Sequence, residues 1–393
     1  MKKYPMKTRR RFLAGLAVSP LMARELWAKS DKANDGSLLF VGTGTKTGSK
    51  GIYGYRFDSG TGTLQNSGLA AEAPSPSFLA LSPDGKYLFA VNEIDTYQGA
   101  PTGAVSSYYL ERTTGKLTLI NTVASGGSGP CHVNTDQSGR VLLVANYTGG
   151  SAASFQIASD GHLSEAASVF HYDSSGPGPG QDKERQDKAH AHHATPSPDN
   201  RYVYINDLGL DCIHIYKLDP TSAKLTPNDP SAWQAAPGSG PRVLRFHPSG
   251  KWAYCVNELA STIDLLGWDP TTGQLNLIEA TTYLPEGFQG ISRAAEIIFD
   301  KKGAYAYFAN RDADFLVTFA IDPANGKLSS LHRSPCGGKV PRHIALGPKE
   351  HWILVANQES NSIAVYRRTP KNGQLSSTGQ NFPIQSPQCL LFV

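Results

Sequence analysis

Cysteine is scarce: the 393 residues contain five, at Cys131, Cys212, Cys255, Cys336 and Cys389. The count is odd, the spacings are wide and no Cys-x-x-Cys occurs, so neither a disulfide framework nor a structural zinc site is indicated. The five read instead as small buried hydrophobes. Long apolar runs are missing too, and no segment approaches the 18 apolar residues that a membrane span requires. Charged residues make up 18% of the chain, and the excess behind the formal charge of +4 is local. Residues 1–28 hold Lys2, Lys3, Lys7, Arg9, Arg10, Arg11 and Arg24 against Glu25 alone. The rest is left slightly acidic, without the footprint of a nucleic-acid partner. Familiar catalytic signatures are also absent: no Gly-x-Ser-x-Gly elbow, no His-Glu-x-x-His and no phosphate-binding Gly-x-x-x-x-Gly-Lys-Ser/Thr loop.

What is abundant is turn chemistry. Gly 39 and Pro 26 are roughly a sixth of the chain, against an average of about 12%. Aromatic and β-branched residues cluster in short runs between these breakers, which predicts an all-β protein. With 39% hydrophobic residues the chain has enough apolar material for a large core. Ahead of it, Thr8-Arg9-Arg10-Arg11-Phe12-Leu13 has the pattern of a twin-arginine signal. A weakly apolar stretch from Ala14 to Ala23 and a small-residue cleavage site ending at Ala28 follow. Residues 1–28 are therefore expected to be a signal peptide handled by the Tat export machinery. The body, residues 37–393, is expected to be a soluble periplasmic or extracellular domain without stable membrane insertion.

That body repeats itself. A unit of apolar strand, tight turn, apolar strand ending in Asn, third strand and Thr-Gly-x-Leu-like close recurs over residues 76–117, 129–163, 190–225, 240–275, 292–328 and 340–375. The closing leucines are Leu64, Leu117, Leu163, Leu225, Leu275, Leu328 and Leu375, so there are seven copies. Pro83-Asp84-Gly85 and Pro248-Ser249-Gly250 are turn sequences joining antiparallel neighbours. A weaker fourth strand follows each terminal Leu. The first copy lacks its opening strand, and residues 386–393, SPQCLLFV, resemble it. The expected fold is an all-β, seven-bladed β-propeller closed by the C-terminal strand joining the N-terminal blade. Residues 173–189, rich in Gly, Pro and charge, form an insertion beside one mouth of the ring.

In a propeller the first strand of each unit lines the central channel. The start of the first strand and the end of its antiparallel neighbour lie on one side of the disc. Converging at one mouth should therefore be His132, His190, His192, Arg242, Arg293, Glu296, Arg342 and His343 from first strands. Second strands bring Asn146, Asn206, Asp207, Asn257, Glu258, Asn310, Arg311, Asn357 and Gln358. The recurrent Asn is read as a turn cap; the variable histidines, arginines and glutamates are read as functional. His190 and His192 form a weak zinc signal, and a cationic pocket for an anionic substrate fits better.

Five motifs in order carry a resemblance: Arg185-Gln186-Asp187 with His190-Ala191-His192; Gly240-Pro241-Arg242 with Phe246-His247-Pro248; Tyr254 to Leu259; Ala295-Glu296-Ile297; and Asn310-Arg311. Over roughly residues 37–393 the chain resembles the seven-bladed propeller lactonases, a family including cycloisomerase-type 6-phosphogluconolactonases and fungal carboxy-muconate lactonizing enzymes. The resemblance implies hydrolysis of a sugar lactone at the channel mouth, with His192, Arg242, Glu258 and Arg311 as catalytic residues. His132, His190, Asp207, Arg293, Glu296 and Arg342 are the candidates for substrate contacts. Glu258 or His192 could act as base and acid, while Arg242 and Arg311 stabilise an oxyanion or hold a phosphate or carboxylate. No metal and no cofactor is required by this scheme. A cycloisomerase or lyase acting on muconate-type lactones, and a non-enzymatic binding propeller, are the alternatives.

Overall fold

The computed structural model describes Met1 and residues 36–172 and 182–393. The expected export signal therefore lies outside the described residues, apart from Met1, as does much of the insertion at 173–189. Among the described residues, 28 strands form seven antiparallel four-stranded sheets within the unit Ser37–Val393.

The innermost strands are Pro387–Phe392, Leu79–Leu81, Pro130–Thr135, Ala191–Pro196, Pro241–Phe246, Ala294–Phe299 and Pro341–Leu346. Each packs against the next, and the seventh against the first, which closes a ring around a channel. The closure is the one expected from the sequence. Leu39 pairs with Phe392, Phe40 with Leu391 and Val41 with Leu390, and the Val393 amide donates to the Leu38 carbonyl at 2.9 Å. The Trp352 indole N–H, donating to the Ser59 carbonyl at 2.8 Å, ties the last blade to the first.

Alternation explains why the blades stack. In the strand Val141–Asn146, Leu142 and Val144 join the apolar layer shared with the second blade, while Val141, Leu143 and Ala145 join the one shared with the fourth. Successive side chains of a strand point to opposite faces, so both faces are covered and the strand is buried throughout. Full burial of each such aliphatic side chain contributes about 1.5–3 kcal/mol. The five cysteines are all free and buried; Cys212, Cys255, Cys336 and Cys389 are members of such apolar clusters, whereas Cys131 faces the channel. At the turns, Gly85 and Gly250 take positive φ (71° and 70°), and their amides close hydrogen bonds to the Ser82 and His247 carbonyls.

The recurrent Asn is structural, but in three blades it clamps an incoming connection where a cap of its own turn was expected. Asn92, Asn146 and Asn357 donate to the carbonyls of Pro74, Ser125 and Cys336 at 3.0–3.1 Å, fastening the connection that arrives from the preceding blade.

Candidate active site

One irregularity, repeated around the ring, builds the mouth. In six blades the innermost strand breaks register near its start: between Pro387 and Cys389, Pro130 and His132, Ala191 and His193, Pro241 and Val243, Ala294 and Ile297, and Pro341 and His343. A β-bulge adds a residue to one strand and re-aims its side chain. The skipped residues are Gln388, Cys131, His192, Arg242, the pair Ala295 and Glu296, and Arg342, and all of them line the channel throat. A second tier stands above them. The residue after the second-strand Asn pairs back to the residue preceding the first strand, as in Tyr147 to Gly129, Glu258 to Gly240, Arg311 to Arg293 and Gln358 to Val340.

Glu258 is the centre of the site. It is fully buried, and three guanidiniums surround it: Arg185 Nη2 at 2.5 Å from Oε1, Arg242 Nη1 at 2.7 Å from Oε2 and Arg311 Nη2 at 2.6 Å from Oε2. Burial alone would raise the Glu258 carboxyl, but Arg311, Arg242 and Arg185 together outweigh it and hold the group far below the usual carboxylate range. Arg242 and Arg311 are themselves anchored, their Nε atoms donating to the carbonyls of Ala295 at 2.8 Å and Ala294 at 3.1 Å. Burial, only partly opposed by Glu258, lowers Arg311 to about 9, which leaves it a cation at neutral pH.

Arg242 Nη1 also contacts His192 Nε2. A guanidinium can only donate, so Nε2 accepts and the imidazole proton sits on Nδ1. Burial, reinforced by Arg242, keeps His192 well below its ordinary value and therefore neutral. Three buried atoms in this cluster carry no hydrogen bond among the described residues: His192 Nδ1, Arg311 Nη2 and Glu258 Oε1. The Arg185 and Arg311 contacts to Glu258 are close charge contacts without hydrogen-bond alignment, so Glu258 Oε1 and Arg311 Nη2 are charge-paired though not hydrogen-bonded. Of the three atoms, His192 Nδ1 is the one left with neither a hydrogen bond nor a charge contact, in a buried setting where such atoms are normally paired.

The four residues expected to be catalytic therefore come together, whereas the expected substrate contacts separate. Asp207 does not reach the mouth. Its blade is offset by one residue: Ala191 pairs with Asp207 as Pro241 pairs with Asn257, so Asp207 takes the place of the structural Asn and Leu208 takes that of Glu258. Its Oδ1 accepts from the amides of His190, Gly209 and Leu210 at 2.8–3.0 Å. His190 is held between the Tyr147 carbonyl at 3.0 Å and the Asp187 carboxylate at 2.8 Å, and stacks on the Tyr147 ring. His190 and His192, weighed as zinc ligands, thus bond to different partners. His132 lies one residue beyond the bulge, between the rings of Phe78 and His193. Glu296 pairs with Arg245 at 3.2 Å and approaches His343 at 3.8 Å. Arg293 pairs with Asp312 at 2.8 Å on an open cleft beside the mouth. Arg342 lines the throat itself.

Two site residues were not picked out from the sequence. Arg185 enters from the insertion and is oriented by the Tyr147 hydroxyl, which accepts from its Nε at 2.9 Å. Tyr147 follows Asn146 as Glu258 follows Asn257, and that equivalence was the available signal.

Residues 38–392 match the family described as Lactonase, 7-bladed beta-propeller. The chain belongs to this lactonase family. It is 31% identical over 354 residues to a 6-phosphogluconolactonase of Bacillus subtilis (90% of this chain, 97% of the relative). It is 33% identical over 359 residues to one of Formosa agariphila (90% and 98%). The solved structure of the Pseudomonas aeruginosa periplasmic gluconolactonase PpgL superposes with a TM-score of 0.84 at 34% identity, covering 91% of this chain and 99% of the other.

Proposed function

We propose that this lactonase hydrolyses a sugar lactone at the channel mouth, with Glu258, His192, Arg242 and Arg311 as its working residues. The observation that carries the reading of the site is the meeting of a buried carboxylate, three guanidiniums and a neutral imidazole whose Nδ1 has no hydrogen bond. Lactone hydrolysis needs a proton acceptor for the water and donors for the carbonyl oxygen. Glu258 Oε1 accepts a hydrogen bond from the attacking water and takes its proton as the oxygen adds to the carbonyl carbon. His192 Nδ1–H and Arg311 Nη2–H donate to the carbonyl oxygen as it becomes an oxyanion, the charge that fixed donors stabilise most. The ring C–O bond then breaks, and the proton held at Glu258 passes to the departing ring oxygen, giving the open hydroxy acid. Arg242 touches both His192 and Glu258 and holds them in register. Arg185 closes the cluster from the side of the insertion.

Relatives named as 6-phosphogluconolactonases and a neighbour named as a gluconolactonase support an aldonolactone as substrate, and favour hydrolysis over the muconate and binding-module alternatives. Assaying aldonolactones and muconolactones side by side by acid release tests this. Acid release well above the spontaneous rate from an aldonolactone is expected, and turnover of muconolactones alone would overturn it.

We propose further that the protein acts in the periplasm after twin-arginine export. The Arg9-Arg10 motif and the periplasmic neighbour support this. Among the described residues no helix is long and apolar enough to cross a membrane. Arg9→Lys with Arg10→Lys is expected to retain the protein in the cytoplasm, in a folded state; the double variant recovered from the periplasm at the wild-type level would contradict it.

A further inference from the structure

Arg342 differs from the other arginines around the channel. Arg185, Arg242 and Arg311 are committed to Glu258, Arg245 to Glu296 and Arg293 to Asp312. Arg342, half-buried at the bulge of the seventh blade, has no carboxylate within 4 Å and no side-chain hydrogen bond among the described residues. Holding a guanidinium partly out of water without a counter-charge is unfavourable, and an incoming anion relieves that cost.

Its position links two spaces. Arg342 lines the throat together with His192 and Arg242, and it also lines a polar pocket of about 360 Å³ whose wall includes Lys46, Ser77, Glu93 and Gln388. Ser77 and Gln388 are shared by both spaces as well, so the two adjoin across these three residues. Across this pocket Glu93 brings a second unmatched group, its Oε2 being buried without a hydrogen bond. A carboxylate accepts from hydroxyl groups, and a planar guanidinium binds phosphate or carboxylate with two parallel hydrogen bonds. The Glu258 cluster offers no comparable free cation, because its carboxylate already engages all three of its guanidiniums.

We propose that Arg342 determines specificity by binding an anionic end group, phosphate or carboxylate, of a polyhydroxy acid lactone whose ring lies at Glu258, while Glu93 accepts from the hydroxyls of the intervening chain. The placement of the ring rests on the hydrolytic reading above; the anion site at Arg342 stands on its own geometry.

Calorimetric binding of the open-chain acids gluconate, glucarate and gluconate 6-phosphate tests it without requiring turnover. Wild-type protein is expected to bind glucarate or gluconate 6-phosphate about 10- to 100-fold more tightly than gluconate, the range of a charge-assisted contact. Whichever of the two is preferred identifies the end group. Arg342→Gln is expected to shrink that advantage to less than about threefold. Should this variant fail to fold, Arg342→Lys, which keeps the charge but not the two-pronged contact, is expected to lose at least about threefold of the advantage. Equal binding of all three acids by the wild type, or an advantage that survives the substitution, overturns the proposal. Wild-type protein that shows the advantage yet opens no lactone would contradict the hydrolytic reading and leave the anion site standing. Turnover without any advantage would contradict Arg342 alone.

Discussion

Arg242 Nη1 donates to Glu258 Oε2 at 2.7 Å, although one residue opens the innermost strand of its blade and the other follows the second. The fifteen residues between them form one antiparallel turn of the chain, and the bulge at Arg242 turns its guanidinium toward the carboxylate. A local hairpin thus places two opposite charges together in a buried site, and Arg185 and Arg311 complete the cage from the insertion and the next blade.

The cage makes Glu258 a structural hub as well as a reacting group. From the sequence alone, Glu258→Gln looks isosteric and harmless to folding. In the structure it leaves three clustered guanidiniums without their counter-charge, and breaking a buried ion pair typically costs about 3–5 kcal/mol. Thermal melts are expected to show the Gln variant folded but clearly less stable. An unchanged melting temperature would mean that the cage contributes nothing to stability.

Acid should weaken the fold before it touches the catalytic groups. His132, His192 and His193 lie well below their ordinary values and His343 is lowered to about 4, in each case chiefly by burial. Unfolded, these rings bind protons near pH 6.5. Between the folded and unfolded values the unfolded chain therefore holds more protons, so stability is complete above about pH 6.5 and declines below it. For His343 alone the full difference is about 3 kcal/mol. Melting temperature is expected to fall steadily from pH 7 to pH 5. Over that range kcat/KM should stay flat while the protein remains folded, because Glu258 stays ionised and His192 neutral. A melting temperature independent of pH, or an acid limb in kcat/KM near pH 6.5, would contradict these assignments.

Closure of the ring gives a third expectation. Deleting residues 386–393 removes the strand paired with residues 39–43 and the buried side chains of Cys389 and Leu390. At about 2 kcal/mol per buried side chain, with the lost pairing added, a fall in melting temperature of several degrees is expected. A truncated protein that melts with the full-length chain would show that the ring does not depend on this strand.

The seven blades were legible because the repeat, the Pro-Asp-Gly-like turns and the missing first strand are all local patterns. The meeting of His192, Arg242, Glu258 and Arg311 was also legible, since strand polarity alone places their ends on one face. Asp207 misled because a one-residue offset in its blade cannot be seen without pairing. Opposite Ala191 it takes the place that Asn holds in other blades, and a strand slipped by one residue exchanges its roles. Arg185 was hidden because the insertion has no periodicity to place it. The bulges were invisible for a related reason: a skipped residue leaves the apolar pattern of a short strand almost intact, yet it turns His192, Arg242 and Arg342 into the throat.

The central claim is that the charge of Glu258 drives lactone opening within the arginine cage. It is tested most directly by kcat/KM for the best aldonolactone, compared between wild type and Glu258→Gln under conditions where melts show both folded. Loss of the base is expected to lower kcat/KM by about 10²–10⁴-fold, carried mainly by kcat. A Gln variant that opens the lactone at the wild-type rate would leave Glu258 with no part in the chemistry and would contradict the account.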